Sequence, residues 1–338
     1  MHLTAIQPTL EEKVAFLSSP EAYGERLGHV EVIETHMSWL FLTPRHVYKI
    51  KKPVHNEYFD FRSLNARRHN CVEEVRLNRR LAPEVYLGVV ALTVESESGL
   101  RIGGQGEPVE YLVQMQRLPA ERMLDSLMKQ DGLTEGEMDE VARVLISFYA
   151  QSPLQPLTSH QYCQRYQGYV DAQARELINP TFRLSREQVE EVAQRQSLYI
   201  QQASELGLHS RAGHLIEAHG DLRPEHICLT QPPVMIDCLE FSQELRTLDP
   251  VDELAYLSLE CEMAGKAWVG NRILQAYMRA VPDLIPEQLV CFYKSYRALL
   301  RAKLSARHLL DPSVSRRRHW TEKAKRYLAV AQQYAHRL

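Results

Sequence analysis

Cysteine is sparse in this 338-residue chain: six thiols, at 71, 163, 228, 238, 261 and 291, with no Cys-x-x-Cys among them. That spacing excludes a small disulfide framework and a Cys-x-x-Cys zinc or redox motif, and it suits a reducing compartment. No apolar run approaches the roughly 20 residues that a membrane-crossing helix needs. The N-terminus shows no basic segment followed by an apolar one. We therefore expect a soluble, cytoplasmic protein without a membrane partner. Also missing is any Gly-x-x-x-x-Gly-Lys-[Ser/Thr] segment, which excludes a Walker-type phosphate loop. There is no internal repeat and no low-complexity tract.

The chain does have an ordinary globular composition, 44% hydrophobic and 25% charged. Its length suits one two-lobed domain or two small ones. A net charge of −3 argues against generic nucleic-acid binding. The charge is unevenly spread: residues 294–338 carry +10, residues 44–80 carry +6, and the remainder carries −19. The basic C-terminal tail reads as a solvated helix face or as a docking surface for an acidic partner.

Residues 30–53 are β-rich, with a turn at Thr43-Pro44 and a resumed strand at Val47-Tyr48-Lys49-Ile50. Residues 62–82 turn helical, with Cys71, Val75, Leu77 and Leu81 at roughly helical spacing. Two further strands, 87–93 and 110–114, flank a turn at 101–108 holding Gly103, Gly104 and Gly106. After Leu118-Pro119 the pattern is helical: 134–150, 160–178, 185–207, 251–264, 270–280, 286–310 and 315–336. One non-helical island, 216–241, interrupts it. The fold class expected is α+β and bilobal: an N-lobe over 1–117, with a small sheet and one helix, and a mainly helical C-lobe over 118–338.

The island carries the chemistry. His219-Gly220-Asp221-Leu222-Arg223-Pro224-Glu225-His226 is followed by Val234-Met235-Ile236-Asp237. Two aspartates thus stand 16 positions apart, each beside an apolar run. Phosphoryl transfer uses such a pair, one carboxylate to orient the attacking hydroxyl and one to hold Mg²⁺ against the phosphates. His209, His214 and His219 do not make a zinc site on a helix, because a spacing of five turns successive rings about 140° apart.

His219-Gly220-Asp221-Leu222 with Ile236-Asp237 resembles the catalytic and metal motifs of the aminoglycoside phosphotransferase and choline kinase-like family, a branch of the protein-kinase-like fold. The resemblance is strongest over 216–256 and weaker over 30–118. The segments 35–53 and 62–89 resemble those of uncharacterised bacterial members, some of which carry an additional P-loop domain. The resemblance implies an ATP-dependent kinase that transfers the γ-phosphoryl group to a hydroxyl of a small molecule, with Mg²⁺ or Mn²⁺. It implies Asp221 as the base or orienter of the acceptor and Asp237 as the metal ligand. Lys49 is favoured over Lys51 as the phosphate lysine, and Glu74 over the adjacent Glu73 as its ion-pair partner. Ser38 or a nearby backbone amide is a candidate phosphate contact, in a segment that lacks the usual glycines. Met115 and Gln116 are candidates to line and read the adenine.

The chain departs from the family at His226, where Asn is usual and imidazole is a poorer Mg²⁺ ligand than oxygen. His226 is a ligand for a softer metal, a group acting through water, or the mark of a weakened second metal site. The last leads to an alternative reading, a catalytically weak or inactive nucleotide-binding adapter. Asp252, in Asp249-Pro250-Val251-Asp252, is expected to cap the next helix and brace the catalytic loop. Glu240 is a further candidate near the metal.

Overall fold

The structure is a computed structural model that describes residues 8–24, 28–96, 99–130, 132–202, 207–311 and 314–338, with the side chain of residue 209 excepted. Its contacts divide into two compact units, Met1–Ser126 with Glu225–Leu245, and Leu127–Pro224 with Arg246–Leu338. This division does not follow the 117/118 boundary read from sequence. The stretch holding Asp237 groups with the N-terminal residues, and the stretch holding Asp221 with the helices.

In the first unit, α1 (Leu10–Ser18) starts at a Thr9 capping box closed by Glu12. The strands are β1 (Glu31–Glu34), β2 (Ser38–Leu42), β3 (His46–Lys51), β4 (Tyr86–Glu95), β5 (Gly99–Ile102) and β6 (Glu107–Gln116). They form one antiparallel sheet of order β1-β2-β3-β6-β4-β5. Strand β5 falls partly within the stretch read as a turn. The turn itself is tighter, because Gly106 packs so closely on the Val94 carbonyl that no Cβ fits there.

Helix α2 (Leu64–Asn78) begins at an Ser63 N-cap, and its burial explains why only part of its pattern is apolar. Cys71 and Val75 join Val113 and Met115 in a core on one face of the sheet. Tyr48 and Ile50 join Leu17, Phe41 and Leu112 in a core on the other. Side chains alternate along a strand. Tyr48 and Ile50 therefore turn toward the α1 side, and Lys49 and Lys51 toward α2. The helix buries Arg67, Asn70, Glu74 and Asn78 as well, so its inner face is largely polar.

Helix α3 (Leu124–Met128) follows the sheet. The second unit then contains α4 (Glu135–Gln151), α5 (Ser159–Leu177), α6 (Arg186–Gln201), α8 (Pro250–Met263), α9 (Ala267–Ala280), α10 (Glu287–Arg307) and α11 (Arg317–Ala335); the four-residue α7 (Gln243–Arg246) precedes α8, with its first three residues in the first unit. These match the expected helices within a few residues, although part of the stretch read as 185–207 lies outside the described residues. The island holds three short strands: β8 (Ile227–Cys228) pairs with β9 (Val234–Met235), and β7 (Ile216–Glu217) pairs with β10 (Thr247–Leu248) just beyond it. No described helix is long and apolar enough to cross a membrane.

Helix α8 is buried from Pro250 to Cys261. It thus carries acidic side chains into the interior, and each needs a partner. Arg297 on α10 grips Asp252 with two bonds, Nε to Oδ1 at 2.7 Å and Nη2 to Oδ2 at 2.6 Å. Tyr166 Oη adds a third at 2.7 Å. Removing one partner of such a pair strands a buried charge, at a cost of about 3–5 kcal/mol. Arg297→Met is expected to lose that much stability in urea unfolding, and a loss below about 1 kcal/mol contradicts the assignment.

Candidate active site

In the first unit the geometry is built on β3. Lys49 pairs in register with Leu40 of β2 and Val113 of β6, and Lys51 with Ser38. Both ammonium groups converge on Glu74 of α2. Lys49 Nζ donates to Glu74 Oε1 at 2.8 Å and to Asp237 Oδ1 at 2.9 Å. Lys51 Nζ forms an ion pair with Glu74 Oε2 and donates a hydrogen bond to Glu240 Oε1. The result is a chain of alternating charge, Asp237–Lys49–Glu74–Lys51–Glu240. Glu74 has no exposed side-chain surface, whereas the Asp237 carboxylate is 47% exposed. Glu73 points elsewhere and pairs with Arg76.

Burial pushes the Glu74 pKa upward, but Lys49 and Lys51 overcome it and hold the carboxyl below its usual range. Burial likewise pulls both lysines down. Asp237, Glu74 and Glu240 more than offset this for Lys49, and Glu240 and Glu74 for Lys51, so both stay above the ordinary lysine value. Asp237 is raised by burial and lowered further by Lys49 and His226, with a net shift downward.

The backbone at Asp237 is left-handed, with φ of 62°, a conformation costly for any residue with a Cβ. Two side chains hold it. The Asp237 N–H donates to Tyr86 Oη at 3.1 Å and the Cys238 N–H to Asn78 Oδ1 at 2.9 Å. Asn78 is itself fixed by donating to the Glu74 carbonyl at 2.8 Å. Sequence reading missed both residues. For Asn78 a signal existed, since 67, 70, 74 and 78 are polar at helical spacing. Tyr86 left none. His226 Nε2 lies 3.7 Å from Asp237 Oδ2.

Of the other sequence candidates in this unit, Ser38 and Met115 are buried and Gln116 is exposed. Ser38 is 2% exposed, and its N–H donates to Thr35 Oγ1. Met115 lies in the core beside Tyr86 and Val113. Gln116 is exposed at the end of β6, with its N–H donating to the Val85 carbonyl.

In the second unit, Gly220 adopts φ of 89°, which favours glycine. Its N–H donates to Glu253 Oε1 at 2.7 Å. Burial raises the Glu253 pKa, against lowering by that N–H and by Tyr149. Asp221 takes a fork from Arg223, Nε to Oδ1 at 3.0 Å and Nη2 to Oδ2 at 2.8 Å, with Tyr256 Oη 3.4 Å from Oδ1. The expectation for Asp252 is corrected. Asp249 is the N-cap of α8, accepting from the Val251 N–H at 2.9 Å. Glu253 braces the loop that carries Asp221, because one turn into the helix its carboxylate accepts from the Gly220 N–H. Asp252 faces Arg297 instead.

Among the described residues no group of three His, Cys, Asp or Glu stands ready to hold a metal ion. His214 pairs with Asp283 and His219 is buried. Mg²⁺ needs no such cage, since one or two carboxylates, phosphate oxygens and waters suffice. The half-exposed Asp237 carboxylate fits that role.

No family model matches the chain. It is 32% identical over 292 residues to two curated proteins, Uncharacterized protein Rv2004c of Mycobacterium tuberculosis (strain ATCC 25618 / H37Rv) and Uncharacterized protein Mb2027c of Mycobacterium bovis; the match covers 81% of this chain and 54% of each relative. The chain thus spans about half the length of the curated relatives it matches. Among solved structures it is similar to APH(2")-IIia in complex with GDP and kanamycin, with a TM-score of 0.57, 15% identity, and 96% and 99% of the two chains covered. A choline/ethanolamine kinase family protein from Mesorhizobium loti aligns with a TM-score of 0.53, 16% identity and coverage of 96% and 98%. The N203A variant of aminoglycoside phosphotransferase APH(4)-Ia, with AMP-PNP and hygromycin B, aligns with a TM-score of 0.52, 12% identity and coverage of 95% and 97%. The fold is therefore that of the small-molecule kinases, α+β with an antiparallel sheet in one lobe and helices in the other. Within that class it is the aminoglycoside phosphotransferase and choline kinase fold.

Glu74→Gln tests the charge chain. It leaves two buried lysines short of a counter-charge and is expected to cost about 3 kcal/mol or more at pH 7. The folded Glu74 pKa lies below the unfolded value of about 4.3, so its contribution is present above that pH and fades as pH falls through the folded pKa. The variant should show a shallower acid limb. The folded lysine pKa values lie above about 10.4, so their contribution is present below that pH and fades as pH rises through the folded values. Weakening them should start alkaline unfolding earlier. Urea midpoints across pH read both limbs, and unchanged limbs contradict the charge chain.

Proposed function

We propose that this protein is an ATP-dependent phosphotransferase that moves the γ-phosphoryl group to a hydroxyl of a small molecule. The observation that carries the reading is Lys49, whose ammonium is bonded at once to a buried glutamate and to a half-exposed aspartate in a left-handed turn. Structural ion pairs seldom spend backbone strain on an exposed carboxylate, whereas functional sites do.

In this reading Lys49 donates to the nucleotide phosphates, and Glu74 keeps it aimed. Asp237 is the hard oxygen ligand, with His226 beside it. Mg²⁺ held there with phosphate oxygens and water supplies neutralisation of the phosphate charge. Asp221 accepts the hydrogen bond of the acceptor hydroxyl and directs its lone pair at phosphorus. Catalysis is positioning and charge stabilisation. The six buried cysteines form no disulfide, which favours a reducing cytoplasm. The exposed arginines at 316–318 are the place where an acidic partner would dock.

One observation favours a second reading, a nucleotide-binding adapter without turnover: an imidazole, not an amide oxygen, stands beside Asp237.

Thermal unfolding with ATP or GTP, each with Mg²⁺, Mn²⁺ or chelator, tests both. At 100 times Kd a nucleotide adds about 2.7 kcal/mol, a rise of a few degrees in Tm for a chain of this size. The metal-dependent part should vanish in Asp237→Ala. Asp221→Ala should keep the shift and lose at least about 100-fold in phosphotransfer. A shift without transfer to any hydroxyl acceptor supports the adapter. No shift under any condition overturns both.

A further inference from the structure

The reading above uses one lysine of β3, but a second is buried more deeply. The Lys51 side chain is 1% exposed, against 12% for Lys49. A lysine is almost never buried so fully unless it is paired, and Lys51 is paired twice, to the far oxygen of Glu74 and to Glu240. It has no route to a ligand of its own. The charge chain nevertheless depends on it. The chain has three carboxylates and two ammoniums, a net charge of −1, and only its Asp237 end opens to solvent.

A lysine that serves phosphate must loosen its hold on Asp237. If Glu74 had Lys49 as its sole counter-ion, that step would leave a carboxylate with no exposed surface short of charge. We propose that Lys51 is a positioning residue: paired with Glu240, it keeps Glu74 compensated while Lys49 leaves Asp237 for the nucleotide phosphates. The inference rests on the phosphate-binding role of Lys49. It assigns to the Lys51–Glu240 pair the control of how readily Lys49 is released, and so of how far nucleotide binding depends on the metal.

The charge bookkeeping gives opposite signs for the two members of the pair. Lys51→Met takes the chain to −2, tightens the hold of the carboxylates on Lys49 and repels phosphate. Glu240→Gln takes it to 0 and does the reverse. Lys51→Met with Glu240→Gln restores −1. Mere damage to packing moves all three variants the same way.

The experiment is titration calorimetry of the full chain with ATP, in chelator and in Mg²⁺. Lys51→Met is expected to weaken ATP binding in chelator about tenfold and to enlarge the gain from Mg²⁺. Glu240→Gln should tighten binding in chelator and shrink that gain, and the double variant should return to within about threefold of wild type. Should Lys51→Met fail to fold, the sign of the Glu240→Gln effect decides. The inference is overturned if the two single variants move both constants in the same direction, or if Glu240→Gln leaves them unchanged while wild type binds ATP. Wild type that binds no ATP in either condition overturns the nucleotide reading, and the inference with it.

Discussion

Glu74 is a carboxylate with no exposed surface, and it must stay ionised out of contact with water. Two lysines from one strand face make this possible. They also determine much else in the first unit. Because Lys49 and Lys51 are both committed to Glu74, β3 must present alternate residues to α2 rather than to the opposite core. Because Glu74 needs both, the inner face of α2 must be polar over several turns. Asn78 follows on the same face and reaches the backbone beyond Asp237. A single buried charge therefore links strand register, helix composition and the strained turn that carries the exposed aspartate.

The second unit solves a similar problem with different chemistry. Helix α8 brings Asp252, Glu253 and Glu260 into the interior and caps itself with buried Asp249. Arg297 answers Asp252, Arg211 answers Asp249, and Tyr327 answers Glu260. Glu253 takes a backbone N–H and a tyrosine hydroxyl instead, and burial raises its pKa. It holds the glycine before Asp221. In both units, then, the backbone at or beside a partly exposed aspartate is held by a buried side chain, Tyr86 at Asp237 and Glu253 at Gly220.

Much of this was legible in the sequence. The strands around Lys49 announced themselves by β-branched and aromatic runs, and most long helices by period and caps. The spacing of Asp221 and Asp237 singled out the two loops that the structure braces with buried side chains. Strand β5 did not show itself, because a glycine-rich stretch reads as turn whether or not its first residues pair. The sequence favoured Glu74 over the adjacent Glu73 although the two differ only by helix phase, and Glu74 is the one that meets Lys49. Asp252 and Glu253 were confused, as neighbours on a helix that is buried all round. Tyr86 left no local trace, because its hydroxyl meets a backbone N–H 151 positions away. The grouping of 225–245 with the N-terminal residues is likewise a long-range packing result that periodicity does not encode.

The account's central claim is that Lys49 exchanges Asp237 for nucleotide phosphate while Glu74 stays fixed. A crystal structure of the protein with AMP-PNP and Mg²⁺ measures this directly. The expected result is Lys49 Nζ within about 3 Å of a phosphate oxygen, with Glu74 still between the two lysines and Asp237 turned to the metal. A bound nucleotide whose phosphates lie far from Lys49, with the Lys49–Asp237 bond intact, would contradict it.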